Sequence, residues 1–102
     1  MKTIRAIVLS KKDNVATAIS DVSRGSSVEI IGEVGGRAII AKQPIPFGHK
    51  ISLTDLNKGD YVIKYGEIIG KTTSRIKTGE HIHVHNVESL RARGDIKQQM
   101  DC

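Results

Sequence analysis

The 102-residue chain carries 16 Lys and Arg against 11 Asp and Glu, with three aromatic residues and no Trp. That length suits one self-supporting domain, whose core has to be built from Ile, Val, Leu and Ala. The +5 excess is scattered along the chain, with no dense basic run and few rings for stacking. A nucleic-acid surface is therefore set aside, and an anionic partner such as a carboxylate substrate fits the charge as well.

In chain order, the β-branched and apolar run from Thr3 to Leu9 predicts a strand. Asp13 then stands where a helix N-cap belongs. Val15, Ala18, Ile19 and Val22 follow i, i+3, i+4, i+7 spacing, which predicts a short helix over 14–22, with Gly25 as its stop. Ser27–Ile31 and Arg37–Lys42 flank the glycines 32, 35 and 36 and predict a β-hairpin. Pro44 and Pro46 mark 43–47 as an edge or an extended crossing, since proline has no N–H to give a ladder. Strands follow around Ile51 and over Asp60–Tyr65, with a single helical turn at 54–57 between them. Extended chain runs from 67 to 76, and a turn at 77–80 leads into a last strand at 81–85. Many short strands with frequent glycines predict a compact, mainly β fold, with one domain over 1–90 and a polar tail over 91–102. No internal repeat stands out.

The last strand carries the chemistry. His81, His83 and His85 alternate with Ile82 and Val84, which on a strand puts three imidazoles on one face and the apolar pair on the other. Same-face neighbours lie ~6.5–7 Å apart, so two imidazoles can converge on one metal ion and three on a straight strand cannot. The pair is His83 with His85, or His81 with His83. The remaining histidine then binds substrate, orients a ligand or meets a partner, with His81, His83 and His85 together the candidate catalytic groups, and Asn86 at the strand end offers an oxygen or an amide hydrogen bond to substrate. The plain alternative is a wet, histidine-rich strand face. Asp13 reads as a cap. Lys12, Asn14 and the first amides of the expected helix offer a site for a substrate carboxylate. His49, alone in a turn, reads as solvated, Glu88 as an exposed carboxylate, and Arg91 and Arg93 as solvated charges. Cys102 is the only cysteine, so an intramolecular disulfide is excluded. No run approaches the ~20 apolar residues of a membrane span, and no signal segment is recognisable. A soluble, cytoplasmic protein is expected.

Two sets of motifs resemble a known family. The stretch Pro44-Ile45-Pro46-Phe47-Gly48-His49-Lys50-Ile51, with Ile68-Ile69-Gly70 and Ile76-Lys77-Thr78-Gly79-Glu80-His81-Ile82, is similar to the SAF (antifreeze-like) β-clip domain. Asp13-Asn14-Val15-Ala16-Thr17-Ala18 together with Gly79-Glu80-His81-Ile82-His83-Val84-His85-Asn86-Val87 resembles the N-terminal domain of the altronate and galactarate dehydratases, and the small subunit of (2R)-sulfolactate sulfo-lyase. The resemblance implies a small subunit of a sugar-acid dehydratase, sharing its active site with a separate large subunit. It also implies a divalent metal, iron or manganese, bound mainly by that large subunit. The sulfo-lyase small subunit is the second reading, and a stand-alone β-clip module that binds a carbohydrate or protein is the third. A homo-oligomer is compatible with each.

Overall fold

The computed structural model describes residues 3–33 and 36–90. The expected tail over 91–102, with Arg91, Arg93 and Cys102, lies outside the described residues. Nine strands make up the regular structure: β1 Ile4–Val8, β2 Val15–Ala18, β3 Ser27–Gly32, β4 Arg37–Ile40, β5 Lys50–Ser52, β6 Tyr61–Lys64, β7 Glu67–Thr72, β8 His81–Ile82 and β9 Val87–Ser89. Six of them form one sheet in the order β4-β3-β1-β2-β5-β8, and three form a second, β6-β7-β9. The mainly β expectation holds.

The helix expected over 14–22 is absent. Val15–Ala18 is instead a strand, paired antiparallel with β1 on one side and β5 on the other. Both of its flanks are covered, so Val15, Ala16 and Ala18 are all buried, and the helix-like spacing of apolar residues came from a strand enclosed on both faces. Asp13 consequently caps no helix. Its carboxylate accepts the backbone N–H of Gly66 at 2.8 Å, pinning the tip of the β6–β7 hairpin. The helical turn expected at 54–57 is also extended chain, where Leu56 bridges Ile76.

The chain repeats one device four times. An apolar residue makes a β-bridge, and three residues later a glycine takes positive φ. Val22 leads to Gly25, Ile45 to Gly48, Leu56 to Gly59 and Ile76 to Gly79, with φ between 84° and 91°. In each turn the residue after the glycine donates its N–H to the carbonyl three positions back, at 2.9–3.1 Å. A glycine at the third position of such a turn is what a type II geometry requires. The bridges pair Val22 with Ile45 and Leu56 with Ile76. An Asp crosses each pair in the same way, Asp21 to the Phe47 N–H and Asp55 to the Thr78 N–H, both at 2.8 Å. The series β2, β3, β4, β5 is therefore echoed by β5, β6, β7, β8. In each series the middle two strands form a hairpin, and the outer two pair antiparallel. The bridging residues are buried, and each half builds its own apolar cluster. One is centred on Val28, Ile30, Ile45 and Ile51, the other on Val15, Val62, Ile76 and Ile82.

The four turns differ in surroundings. A Cβ on Gly25 would meet nothing within 4 Å, whereas a Cβ on Gly79 would lie 2.3 Å from the Ile40 carbonyl oxygen. Gly25→Ala is expected to cost only the left-handed penalty of about 1–2 kcal/mol. Gly79→Ala adds an overpacking penalty of about 1–3 kcal/mol to that cost. Urea unfolding of the two variants should rank them in that order, and equal losses would contradict the packing described for β4 against the last turn.

Candidate functional site

The short ladder between β5 and β8 sets out the site. Lys50 pairs with Ile82 and Ile51 with His81. Continued by one residue, this register brings His49 opposite His83. The two rings stack with centroids 3.6 Å apart and an interplanar angle of 14°. His49 Nδ1 lies 2.8 Å from His81 Nε2, one ring donating and the other accepting. One ligand atom from each of His49, His81 and His83 lies within 4.8 Å of the others. Among the described residues this is the group of His, Cys, Asp and Glu side chains able to hold a metal ion.

His49 is thus no solitary, solvated turn residue. It follows Gly48 in the second turn and is partly buried. Its N–H donates to Pro46 and its carbonyl accepts from Ala18, so its backbone is fixed on both sides. The strand expected over 81–85 ends at Ile82, and residues 83–86 form a turn. Val84, expected beside Ile82 in the core, is 82% exposed. Asn86 accounts for the break. Its Oδ1 accepts the His83 N–H at 3.0 Å, its Nδ2 donates to the His81 carbonyl at 2.8 Å, and its own N–H donates to the His83 carbonyl. Asn side chains close turns in this local way, and they compete with strand ladders when they do. Asn86 is itself buried. It shapes the turn that aims His83, with both side-chain groups engaged.

The other expected site residues fall as follows. His85 is exposed, its ring 4.9 Å from that of His81, and it stands outside the three-imidazole group. Of the two pairs the sequence offered, His81 with His83 is therefore the one brought together, joined by His49. Asn14 ties β2 to β6, its Nδ2 donating to the Tyr61 carbonyl and its Oδ1 accepting from the Ile63 N–H. Lys12 sits in an exposed turn. With β2 in place of a helix, no helix N-terminus stands behind either residue.

The electrostatics favour uncharged imidazoles. His81 is pushed down from 6.5 to about 4, first by loss of water around it, then by the positive charges of His85, His49, His83 and Lys50. His83 moves down for the same leading reason, with His49, Lys50 and His85 adding to it. Lys50, half-buried, is lowered by desolvation and by Lys64. A cavity of about 260 Å³ opens beside His83, with Lys50 and Lys64 on its lining and Val62, Ile69, Ile82 and Val87 in its walls. A larger open groove along β3 and β4 contains none of the histidines.

Imidazole nitrogens bind divalent metals with their lone pairs, at ~2.0–2.1 Å. Three imidazoles with one ligand atom each within 4.8 Å of the others suit such an ion after small ring rotations. The donor set fits the metal that the family resemblance implies. The pH dependence follows from His81. Between 6.5 and about 4 the unfolded chain binds the proton that the folded chain refuses, so this part of the stability is whole above 6.5 and is lost as pH falls towards 4. The metal-free chain should melt at progressively lower temperature across that window, with His81→Asn showing a flatter profile. Parallel profiles for the two proteins would contradict the assignment.

Comparison with known proteins identifies the family. The altronate/galactarate dehydratase SAF domain matches residues 4–90. The chain is 39% identical over 83 residues to altronate dehydratase of Bacillus subtilis (strain 168), a match covering 81% of this chain and 16% of that protein. It is 40% identical over 77 residues to altronate dehydratase of Escherichia coli (strain K12), covering 76% of this chain and 15% of that protein. It is 47% identical over 53 residues to (2R)-sulfolactate sulfo-lyase subunit alpha of Paracoccus pantotrophus, covering 52% of this chain and 79% of that subunit. The chain thus spans about a sixth of the length of the altronate dehydratases it matches. It belongs to the altronate/galactarate dehydratase SAF-domain family.

Proposed function

We propose that this chain is the small subunit of a sugar-acid dehydratase of the altronate dehydratase type, working with a separate large subunit. The observation that carries the reading is the cluster of His49, His81 and His83, held by a ladder and two turns beside a cationic cavity. The matching segment makes up 15–16% of the altronate dehydratases, so most of such an enzyme lies outside the part this chain resembles. The alpha-subunit naming of the sulfo-lyase relatives supports a version of this domain that acts as one subunit among others.

His49, His81 and His83 hold a divalent ion, iron or manganese, in this reading. The ion supplies Lewis acidity for a β-elimination, in which a proton leaves the carbon beside a carboxylate and a hydroxyl leaves the next one. The chain's own residues orient and desolvate. Asn86 fixes the backbone on both sides of Ile82. Gln43 Oε1 accepts the His81 N–H at 2.9 Å, so three contacts determine where the His81 ring stands. In this reading His85, which is exposed, passes a proton between solvent and the site. The identity to sulfolactate sulfo-lyase subunits, 47–48% over their matched segments, favours a second reading in which sulfite leaves in place of water. The same three histidines serve both.

His49 separates this site from a strand of alternating histidines. With the large subunit present, His49→Ala, His81→Ala and His83→Ala are each expected to lower kcat/KM for altronate by about 100-fold or more, and metal content should fall in parallel. His85→Ala should keep the metal. Full activity in His49→Ala would overturn the three-histidine assignment.

A further inference from the structure

We infer that the cavity beside His83 is an anion subsite, in which Lys50 and Lys64 take the carboxylate of a small 2-hydroxy acid. The inference deepens the reading above, and it rests on that reading for the reaction the acid undergoes. Lys50 and Lys64 both line one cavity, and among the described residues no Asp or Glu lines it. Glu67 is the register partner of Lys64 on the neighbouring strand, yet it is not part of that lining. The walls are largely apolar, contributed by Val62, Ile69, Ile82 and Val87. Two like charges lining one cavity repel each other, as the lowering of Lys50 by Lys64 reflects, and an anion entering the cavity relieves that repulsion.

The two lysines are also positioned. Lys50 lies within the sheet, paired with Thr17 on one side and Ile82 on the other, so its stem starts from fixed backbone. The Lys64 ammonium sits 4.7 Å from the centroid of the Tyr65 ring, a cation–π contact. Tyr65 is the only described residue other than glycine with positive φ, at 57°. The hairpin tip it occupies is held by the buried Asp13 carboxylate through the Gly66 N–H. Tyr65 and Gly66, both at positive φ, are the two loop residues between the paired Lys64 and Glu67, as a tight β-hairpin turn requires, and that turn fixes the end of β6 that carries Lys64.

Size and position specify the ligand. At about 260 Å³ the cavity is smaller than the ~300–1,000 Å³ of drug-sized pockets. Its charged lining residues are the two lysines, which favour a carboxylate over a neutral hydroxyl. The carboxylate end therefore enters, and the hydroxylated end stays outside. His83 borders both the cavity and the three-imidazole group. A carboxylate anchored on Lys50 and Lys64 thus sets its adjacent carbon at the histidine edge, where an elimination needs it.

The test is an amide NMR titration of the full, metal-free chain at pH 8 with tartrate, a dianionic 2-hydroxy acid, and with erythritol, an uncharged polyol of the same carbon count. Tartrate should give saturable shifts at Lys50, Lys64 and His83, and erythritol should give none. Lys50→Gln and Lys64→Gln should each weaken tartrate by about tenfold, the loss of one charge-assisted contact. Lys64→Gln guards against misfolding, because Lys64 lies near the hairpin tip and outside both apolar clusters. No saturable response, an equal response to erythritol, or unchanged affinity in both variants would overturn the subsite. A separate titration with Co²⁺, read by its absorption, reports the histidines alone. Loss of the tartrate response with Co²⁺ binding intact removes the subsite and leaves the histidine site standing, and loss of both removes the two together.

Discussion

Lys50 pairs with Ile82 and Ile51 with His81, and the positions of His49 and His83 follow from that short ladder. β5 is the hinge of the whole design. It closes the first series of strands against β2 and opens the second, which ends at β8. Ile51 and Ser52 are fully buried as a result. The turns on either side fix what the ladder leaves free. Gly48 delivers His49 just before β5, and Gly79 delivers Glu80 and His81 just before and into β8. Both glycine N–H groups donate to strands of the same sheet, Gly48 to Ala18 and Gly79 to Ser52, each near 2.9 Å. A slip of one residue in β5 against β8 would turn His81 away and break the cluster, since side chains alternate faces along a strand.

The charges on either side of His83 are opposite in what they invite. Protonation of His81 and His83 is disfavoured, first by desolvation and then by the neighbouring basic groups, which leaves their lone pairs available to a cation. Lys50 and Lys64 line the adjoining cavity, which suits an anion. In the proposed reading, a divalent ion at the histidines and a carboxylate at the lysines would balance each other's charge across His83.

The short strands, the β3–β4 hairpin and the resemblance to the family were all legible in the residues, because alternation, glycine placement and the Gly-Glu-His-Ile-His-Val-His-Asn stretch are local signals. Val15–Ala18 was not, because apolar residues enclosed on both faces mimic helical spacing over four positions. His49 was missed because its partners lie more than thirty residues away and reach it only through the β5–β8 register. A signal for it existed. Pro44-Ile45-Pro46-Phe47-Gly48-His49 and Arg75-Ile76-Lys77-Thr78-Gly79-Glu80-His81 share the apolar-x-x-Gly step, and reading them as copies of one turn places a histidine at the start of two neighbouring strands. Asn86 was read as a substrate-binding group at the end of a strand, whereas its amide folds the chain back on itself and holds the turn that carries His83.

The central claim is that one ion site is built from His49, His81 and His83. Crystals of the full chain soaked in Co²⁺, with data collected on either side of the cobalt absorption edge, test it directly. The account predicts one strong anomalous peak within ~2.0–2.3 Å of a nitrogen from each of the three rings. A peak centred on His83 and His85 without His49, or no peak at this corner, would contradict it.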